Sequence, residues 1–278
     1  MASQNCQATT TKGAPCKRAA KAGGFCTQHS KKVAQPEETI TITFGDVAEN
    51  HVGMEKIGEM QTKGFSLEEL ELIYDAYDIR GFETELINLN PTGEYENAYV
   101  LVVRKALDRE TNLDKLFEEL QKLNWDTKAK MYGRVVDKKA RYNLCFADFS
   151  QEPDYEQGKG RVIAFDQVPL LDTVRKNLEK TTSKKLVAEG NRYYDITKTG
   201  IGYHGDSERR IVIALRLGAS MPLYYQWYRQ SEAVGEPIKI DLHHGDMYFM
   251  SEKAVGTDWK KKNIYTLRHA TGCEKFVS

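Results

Sequence analysis

The last third of this chain leaves few folds open to it. Residues 186–194, 201–206, 210–217, 222–229, 237–242, 246–250 and 263–269 are short runs rich in β-branched and aromatic residues. Gly, Pro and charged residues separate them. Each run has the length and composition of a strand. Many short strands joined by such turns point to a sandwich or jelly roll. The spacing therefore predicts a mainly β fold with some helices (α+β).

The helices belong upstream. Asn112 opens a stretch with leucines at 113, 116, 120 and 123, the 3–4 spacing of one helix face. Pro169 starts an amphipathic run, a residue suited to a first helical turn. Between them, residues 131–148 are basic and aromatic together and are expected as two strands, or a strand and a flap. Residues 150–160 are expected as a loop. The segment before 108 has its own texture. A strand is expected over 40–44 and a short helix near 53–62. A capped helix follows Ser66, with Glu69 three residues on, and strands fall at 84–89 and 98–103. Three domains are expected: a module over 1–35, a small α/β accessory domain over 36–107, and a jelly-roll domain over 108–278.

A chain of 278 residues with 40% hydrophobic and 29% charged residues has a soluble globular composition. No apolar run approaches the roughly 18 residues a membrane span needs, and no apolar signal segment follows the first basic residues. Five cysteines, an odd number, with no such signal suggest a reducing, intracellular setting, cytoplasm or nucleus. The net charge is zero but uneven. Residues 1–35 carry Lys12, Lys17, Arg18, Lys21, Lys31 and Lys32 and no acidic residue. That pattern fits either a nucleic-acid-binding arm or a solvated tail. The same segment holds Cys6, Cys16, Cys26 and His29, three thiols and an imidazole suited to tetrahedral zinc. It has few apolar residues with which to fold otherwise. The segment resembles small Cys3His modules appended to proteins of large DNA viruses and their hosts. The alternative is a tail with incidental cysteines.

The chemistry concentrates in Asn191–Asp206, which ends in His204-Gly205-Asp206. Side chains two apart in an extended strand share a face, so one imidazole and one carboxylate can hold one ion. With a distant second histidine they make a 2-His-1-carboxylate triad, which leaves coordination positions open.

Several motifs together, in order, resemble the AlkB-like iron(II)- and 2-oxoglutarate-dependent dioxygenases. Tyr132-Gly133-Arg134 and the basic strand after it resemble the nucleotide-recognition flap. Asn191-Arg192-Tyr193 resembles the family's N-R-Y, and His204-Gly205-Asp206 with Glu208-Arg209 its iron turn. Ile211–Gly218 and Gly245–Met250 resemble two further core strands. The resemblance implies a double-stranded β-helix, iron(II), 2-oxoglutarate and dioxygen as cofactors, and DNA or RNA as partner. It implies that Asn191 and Tyr193 touch 2-oxoglutarate. It also implies a distal histidine after the Gly245–Met250 strand, where His269 stands. The chain departs from the family in having no arginine after His269. Arg216 and Arg268 are the candidates for the far carboxylate of 2-oxoglutarate, and Arg216 is preferred because Arg268 and His269 face opposite sides of a strand. For substrate, Tyr132 and Tyr142 are expected to stack on a base, and Arg134, Lys138, Lys139 and Arg141 to lie along nucleic acid. Demethylation or hydroxylation of bases is the expected activity. A protein or small-molecule hydroxylase on the same scaffold, or a non-catalytic nucleic-acid-binding protein, are the alternatives.

Overall fold

The computed structural model describes residues 13–20, 26, 37–107 and 111–278. The chain divides into two compact units, Met1–Glu37 and Glu38–Ser278. In the first, Cys16 and Cys26 are buried with their sulfurs 3.9 Å apart. Cys6 and His29 lie outside the described residues.

The second unit is mainly β with helices. Its larger sheet contains β1 (Thr39–Gly45), β4 (Thr84–Asn88), β5 (Tyr99–Val103), β8 (Tyr142–Ala147), β9 (Val162–Ala164), β10 (Val187–Tyr193), β12 (Ile213–Gly218) and β15 (Met247–Met250). They run in the order β4-β5-β15-β12-β1-β10-β8-β9. All neighbours are antiparallel except β8 and β9. The smaller sheet contains β11 (Gly200–His204), β13 (Leu223–Arg229), β14 (Glu232–Ile240) and β16 (Thr266–Gly272), in the order β11-β16-β13-β14.

Alternation along the strands decides what each face of the larger sheet covers. Ile40, Ile42 and Phe44 of β1 point to one face, with Leu101, Val103, Leu215, Leu217 and Phe249 from its neighbours. Against them pack the apolar stripes of α1 (Leu67–Asp78), α2 (Leu113–Gln121) and α3 (Pro169–Thr182). On the opposite face Val100, Val102, Ala214, Tyr248 and Met250 meet Leu223, Tyr225, Trp227 and Leu267 of the smaller sheet. The unit is thus helices on sheet on sheet. The helix-side face is apolar throughout, and the opposite face is apolar across β5, β15 and part of β12 but polar where β8, β10 and β1 carry Asn143, Asn191 and Thr41.

The predicted caps form as chemistry requires. Ser66 accepts from the Glu69 amide at 3.2 Å while the Glu69 carboxylate accepts from the Ser66 amide at 2.9 Å, a complete capping box. Asn112 accepts from the Lys115 amide at 2.9 Å. Pro169 opens α3 at its first turn.

Two expectations are corrected. The helix near 53–62 does not form: β2 (Val47–Glu49) pairs with β3 (Lys56–Gly58) across a turn instead. Residues 38–107 are not a separate domain either. β1 lies between β10 and β12, and β4 and β5 extend the same sheet beyond β15. Local patterning shows a strand but not which distant strand it pairs with. The basic stretch folds as a hairpin of β6 (Lys128–Met131) and β7 (Arg134–Asp137), with Tyr132 and Gly133 at positive φ in its turn.

Candidate metal centre and its cavity

At one end of the two sheets lies a cavity of about 670 Å³. Its metal-binding candidates come from the smaller sheet. In the pairing of β11 with β16, His204 stands opposite His269, after a bulge that re-aims the end of β11. Asp206 follows two residues later, its amide tied to the Val255 carbonyl at 3.0 Å at the end of α4 (Glu252–Val255). Gly205 between them has no room for a side chain, because a Cβ there would strike the Gly256 backbone and lie 2.9 Å from the Trp259 Cβ. The three residues each bring one ligand atom within 4.8 Å of the others. His204, Asp206 and His269 are therefore brought together as the sequence motif implied.

The detail of the cluster suits a divalent ion. His204 Nδ1 lies 2.8 Å from the Gly202 carbonyl, which requires the proton on Nδ1 and leaves the Nε2 lone pair facing inward. His204 Nε2 and His269 Nε2 lie 3.5 and 3.7 Å from the same Asp206 oxygen, too far for a good hydrogen bond. Ligand bonds of about 2.1 Å at right angles would separate neighbouring ligand atoms by about 3 Å, so a small closure around an ion would satisfy all three. Burial, reinforced by His269, pushes the His204 imidazole down to about 3, so it stays neutral and available. Burial works to raise the Asp206 carboxyl, but His269, Arg209 and His204 outweigh it and hold it ionised, well below the usual range.

The larger sheet supplies the rest of the cavity. Asn143, Asn191, Thr41 and Arg216 form one row across β8, β10, β1 and β12. Asn191 Oδ1 accepts from Arg141 Nε at 2.6 Å and Asn143 Nδ2 at 2.8 Å, and Asn191 Nδ2 donates to Glu189 at 3.0 Å. Tyr193 is buried two residues on, facing the same cavity. Arg216 is fully buried and donates to Thr41 Oγ1 at 2.5 Å and Thr271 Oγ1 at 3.4 Å. Its Nε has no partner, and no carboxylate of the described residues forms an ion pair with it. Arg268 is placed differently. It stacks on Tyr228 at 3.9 Å from the ring centre and does not line the cavity.

The expected nucleic-acid contacts divide. Tyr132 is 95% exposed at the hairpin tip, and Arg134 and Lys139 are exposed. Lys138 turns inward, donating to Asn50 Oδ1 at 2.6 Å and Asn143 Oδ1 at 2.8 Å. Tyr142 stacks on Tyr194 at 4.5 Å and packs against the helix-side core. Arg141 lines the cavity itself. Arg141 and Tyr142 are neighbours and face opposite sides, and the pairing of β8 with β10 shows which side is which, whereas Lys138 lies beyond the bend at 139–140 and is held inward by its own hydrogen bonds.

Other residues of the site carry no sequence signal. The end of β2 brings Glu49 to the cavity, the turn after it His51, Val52 and Met54, and the segment after α4 Trp259 and Lys260. Arg209, buried, pairs closely with Glu189, with Glu208 at 3.0 Å and with Asp206 at 3.8 Å. Burial, then the nearby Asp206, raises Glu208 to about 7. The H-x-D-x-E-R string contained Glu208 and Arg209, but Glu189 could be found only through the β1–β10 pairing. A larger groove of about 1050 Å³ borders the N-terminus of α1, yet its charges answer one another, as in Lys184–Glu69, Arg210–Glu252 and Lys253–Asp258.

No family model matches the chain. A protein of Acanthamoeba polyphaga mimivirus, described as "Uncharacterized protein R156", is 59% identical over 248 residues, 87% of this chain and 98% of that relative. With that identity and coverage the chain belongs to the family of this mimivirus protein, a family found in a large DNA virus.

Proposed function

We propose that this protein is an AlkB-like iron(II)- and 2-oxoglutarate-dependent dioxygenase on a double-stranded β-helix, acting on nucleic-acid bases by oxidative demethylation or hydroxylation. The observation that carries the reading is the cavity between the two sheets. Its smaller sheet presents His204, Asp206 and His269 together, and its larger sheet presents Arg216 buried without a carboxylate partner. The donor set, two imidazoles and one carboxylate with open positions, is the one suited to iron(II). When bound, the iron with 2-oxoglutarate and dioxygen supplies the oxidation of a substrate C–H bond, with succinate and carbon dioxide as co-products.

The chain's own residues orient and shield. Gly202 sets the His204 tautomer, so the ligand atom needs no reorganisation. Arg216, with Thr41 and Thr271, forms a cationic end wall for the far carboxylate, since a guanidinium this deeply buried gains most from an anionic partner. Asn191 and Tyr193 flank that path. The tip of the β6–β7 hairpin offers Tyr132 for stacking, and Arg134 and Lys139 for phosphates. The cysteine sulfurs of Cys16 and Cys26 stand at the separation expected of two zinc thiolates, about 3.8 Å for bonds of about 2.3 Å. We read residues 1–35 as a zinc module that brings six cations of its own for nucleic acid.

The test is succinate formation from 2-oxoglutarate with iron(II), for the wild type, His204→Ala and Asp206→Ala. Turnover in the wild type that both variants abolish supports the reading; a wild type that binds iron(II) but neither binds nor consumes 2-oxoglutarate ends it. The withdrawal of Lys138 and Tyr142 into other contacts, and the place of Arg141 in the cavity, favour a second reading, a protein or small-molecule hydroxylase on the same site. Absence of any salt-dependent DNA or RNA binding would select it.

A further inference from the structure

Two hollows meet beside the candidate metal centre. The cavity of about 670 Å³ and the groove of about 1050 Å³ share Ser207, the residue directly after Asp206. The segment after α4 runs between them. Trp259 and Lys260 line the cavity, while Thr257, Asp258 and Lys261 line the groove. Trp259, Lys260, Lys261 and Lys262 follow one another, three cations in succession, and all three lysines are exposed.

This ridge is tied down along its length. The Trp259 amide donates to the Gly256 carbonyl at 3.0 Å and the Lys261 amide to the Asp258 carbonyl at 2.8 Å. The Lys262 carbonyl accepts from the Gln230 amide at 3.2 Å, in the turn between β13 and β14. Buried Lys253 donates to Asp258 Oδ2 at 2.8 Å and to the Tyr265 carbonyl at 3.1 Å, so one side chain holds the segment on both sides of the lysines. The acids nearby are taken: Glu96 and Asp258 by Lys253, and Glu252 by Arg210, each at 2.8 Å. Lys260 lies over the Trp259 ring at 5.4 Å from its centre, and none of Lys260, Lys261 and Lys262 forms an ion pair with a carboxylate of the described residues. A loose tail can spread three like charges into solvent. A pinned backbone keeps them together, and their repulsion is relieved when a polyanion arrives.

We propose that Lys260, Lys261 and Lys262 form a phosphate-gripping ridge for single-stranded nucleic acid, whose backbone crosses from the groove to the cavity beside Ser207. One nucleotide then enters the cavity and its neighbours lie over the ridge. Lys56 and Arg141 add cations to the cavity lining from β3 and from the segment entering β8. A duplex, stiff over about 150 base pairs, does not fold over a single turn of chain, whereas a single strand does. The inference rests on nucleic acid as the partner and not on iron or 2-oxoglutarate.

The experiment measures fluorescence anisotropy of labelled DNA and RNA single strands, and of a DNA duplex, with the full-length protein over a salt titration. Lys260, Lys261 and Lys262 are replaced together by Gln. A comparison variant replaces Lys122, Lys180 and Lys185 by Gln, taking the same charge from the helix layer. At about 0.7 per phosphate contact, the ridge variant should flatten the single-strand salt slope by about 2 and weaken binding at least about tenfold at 0.1 M salt. Lys261→Gln alone should take about one third of that change in slope. The comparison variant should stay within about twofold of wild type, and all variants should keep the wild-type melting temperature and 2-oxoglutarate affinity. The strand that loses more, DNA or RNA, is the one the ridge serves. A ridge variant within about twofold of wild type overturns the proposal, as does an equal loss in the comparison variant or a loss confined to the duplex. Wild type that binds neither strand defeats the nucleic-acid reading itself, a result distinct from failure of the ridge alone.

Discussion

Gly205 separates two metal-ligand candidates and passes back to back with Gly256, so Asp206 is aimed by backbone contact rather than by its own rotamer. Gly205→Ala should displace that turn. Overpacking of this kind costs about 1–3 kcal/mol, visible as a lower melting temperature, with manganese affinity falling at least tenfold. The two candidate arginines should separate just as plainly. Arg216→Ala removes a buried cation facing the cavity and should raise the 2-oxoglutarate requirement by an order of magnitude or more. Arg268→Ala removes a cation stacked on Tyr228 and should cost about 0.5–1 kcal/mol of stability while leaving that requirement within about twofold. Steady-state assays and melts on both variants decide. Of the candidate ligands, His204 and Asp206 were legible from their strand spacing and His269 from the resemblance of ordered motifs, and the alternation argument already set Arg268 apart from His269. That Arg141 lines the cavity was not legible, since a basic residue in a basic, aromatic run looks the same whether it faces a phosphate or a cavity.

Helix α1 owes its start to a capping box, and Ser66→Ala should cost about 1 kcal/mol by chemical denaturation. The β2–β3 turn is held differently. Lys138 reaches from the end of the β6–β7 hairpin to the Asn50 side chain and to Asn143 on β8. Burial lowers its ammonium to about 7. Its folded value thus lies below its unfolded one, and the unfolded chain binds the extra proton between about pH 7 and the ordinary lysine range near 10.5. Stability contributed by this group therefore rises with pH across that window and is lost as pH falls through it. Lys138→Met should remove the slope. The unfolding midpoint of the wild type, relative to the variant, should climb from pH 7 to pH 9, and a flat difference refutes the account. This hairpin and turn illustrate a limit of local pattern. Residues 53–62 have helix-compatible spacing, but Gly58, at φ +96 and against the Asp46 carbonyl, belongs to an extended pairing instead.

The compact unit begins at Glu38, whose carboxylate takes hydrogen bonds from Arg192 at 2.7 Å and from Gln121. Deleting residues 1–35 leaves that anchor in place. The melting temperature of the remainder should stay within about 2 °C of the full chain, while any DNA or RNA affinity should drop and its salt dependence become shallower, six cations having been removed. Replacing Cys16 and Cys26 by Ser should abolish zinc content in that segment, measured by metal analysis; unchanged zinc would refute the module.

From its sequence alone this protein can be recognised as mainly β, with its helices capped where they are. The candidate ligands His204, Asp206 and His269 and the Asn191–Tyr193 pair were also legible there. The strands, caps and the His204–Asp206 pair depend on short-range periodicity and cap chemistry, which one strand or helix carries by itself, whereas His269 and the Asn191–Tyr193 pair were singled out by the resemblance of ordered motifs. The tertiary fold settled what depends on pairing between distant strands. Placing β1 between β10 and β12 made residues 38–107 part of the same unit, and it set Thr41 and Asn191 beside Arg216. The pairing of β8 with β10 put Tyr142 on the helix-side face and its neighbour Arg141 toward the cavity. A strand's alternation is written locally, but which of its two faces is buried is decided by what packs against it.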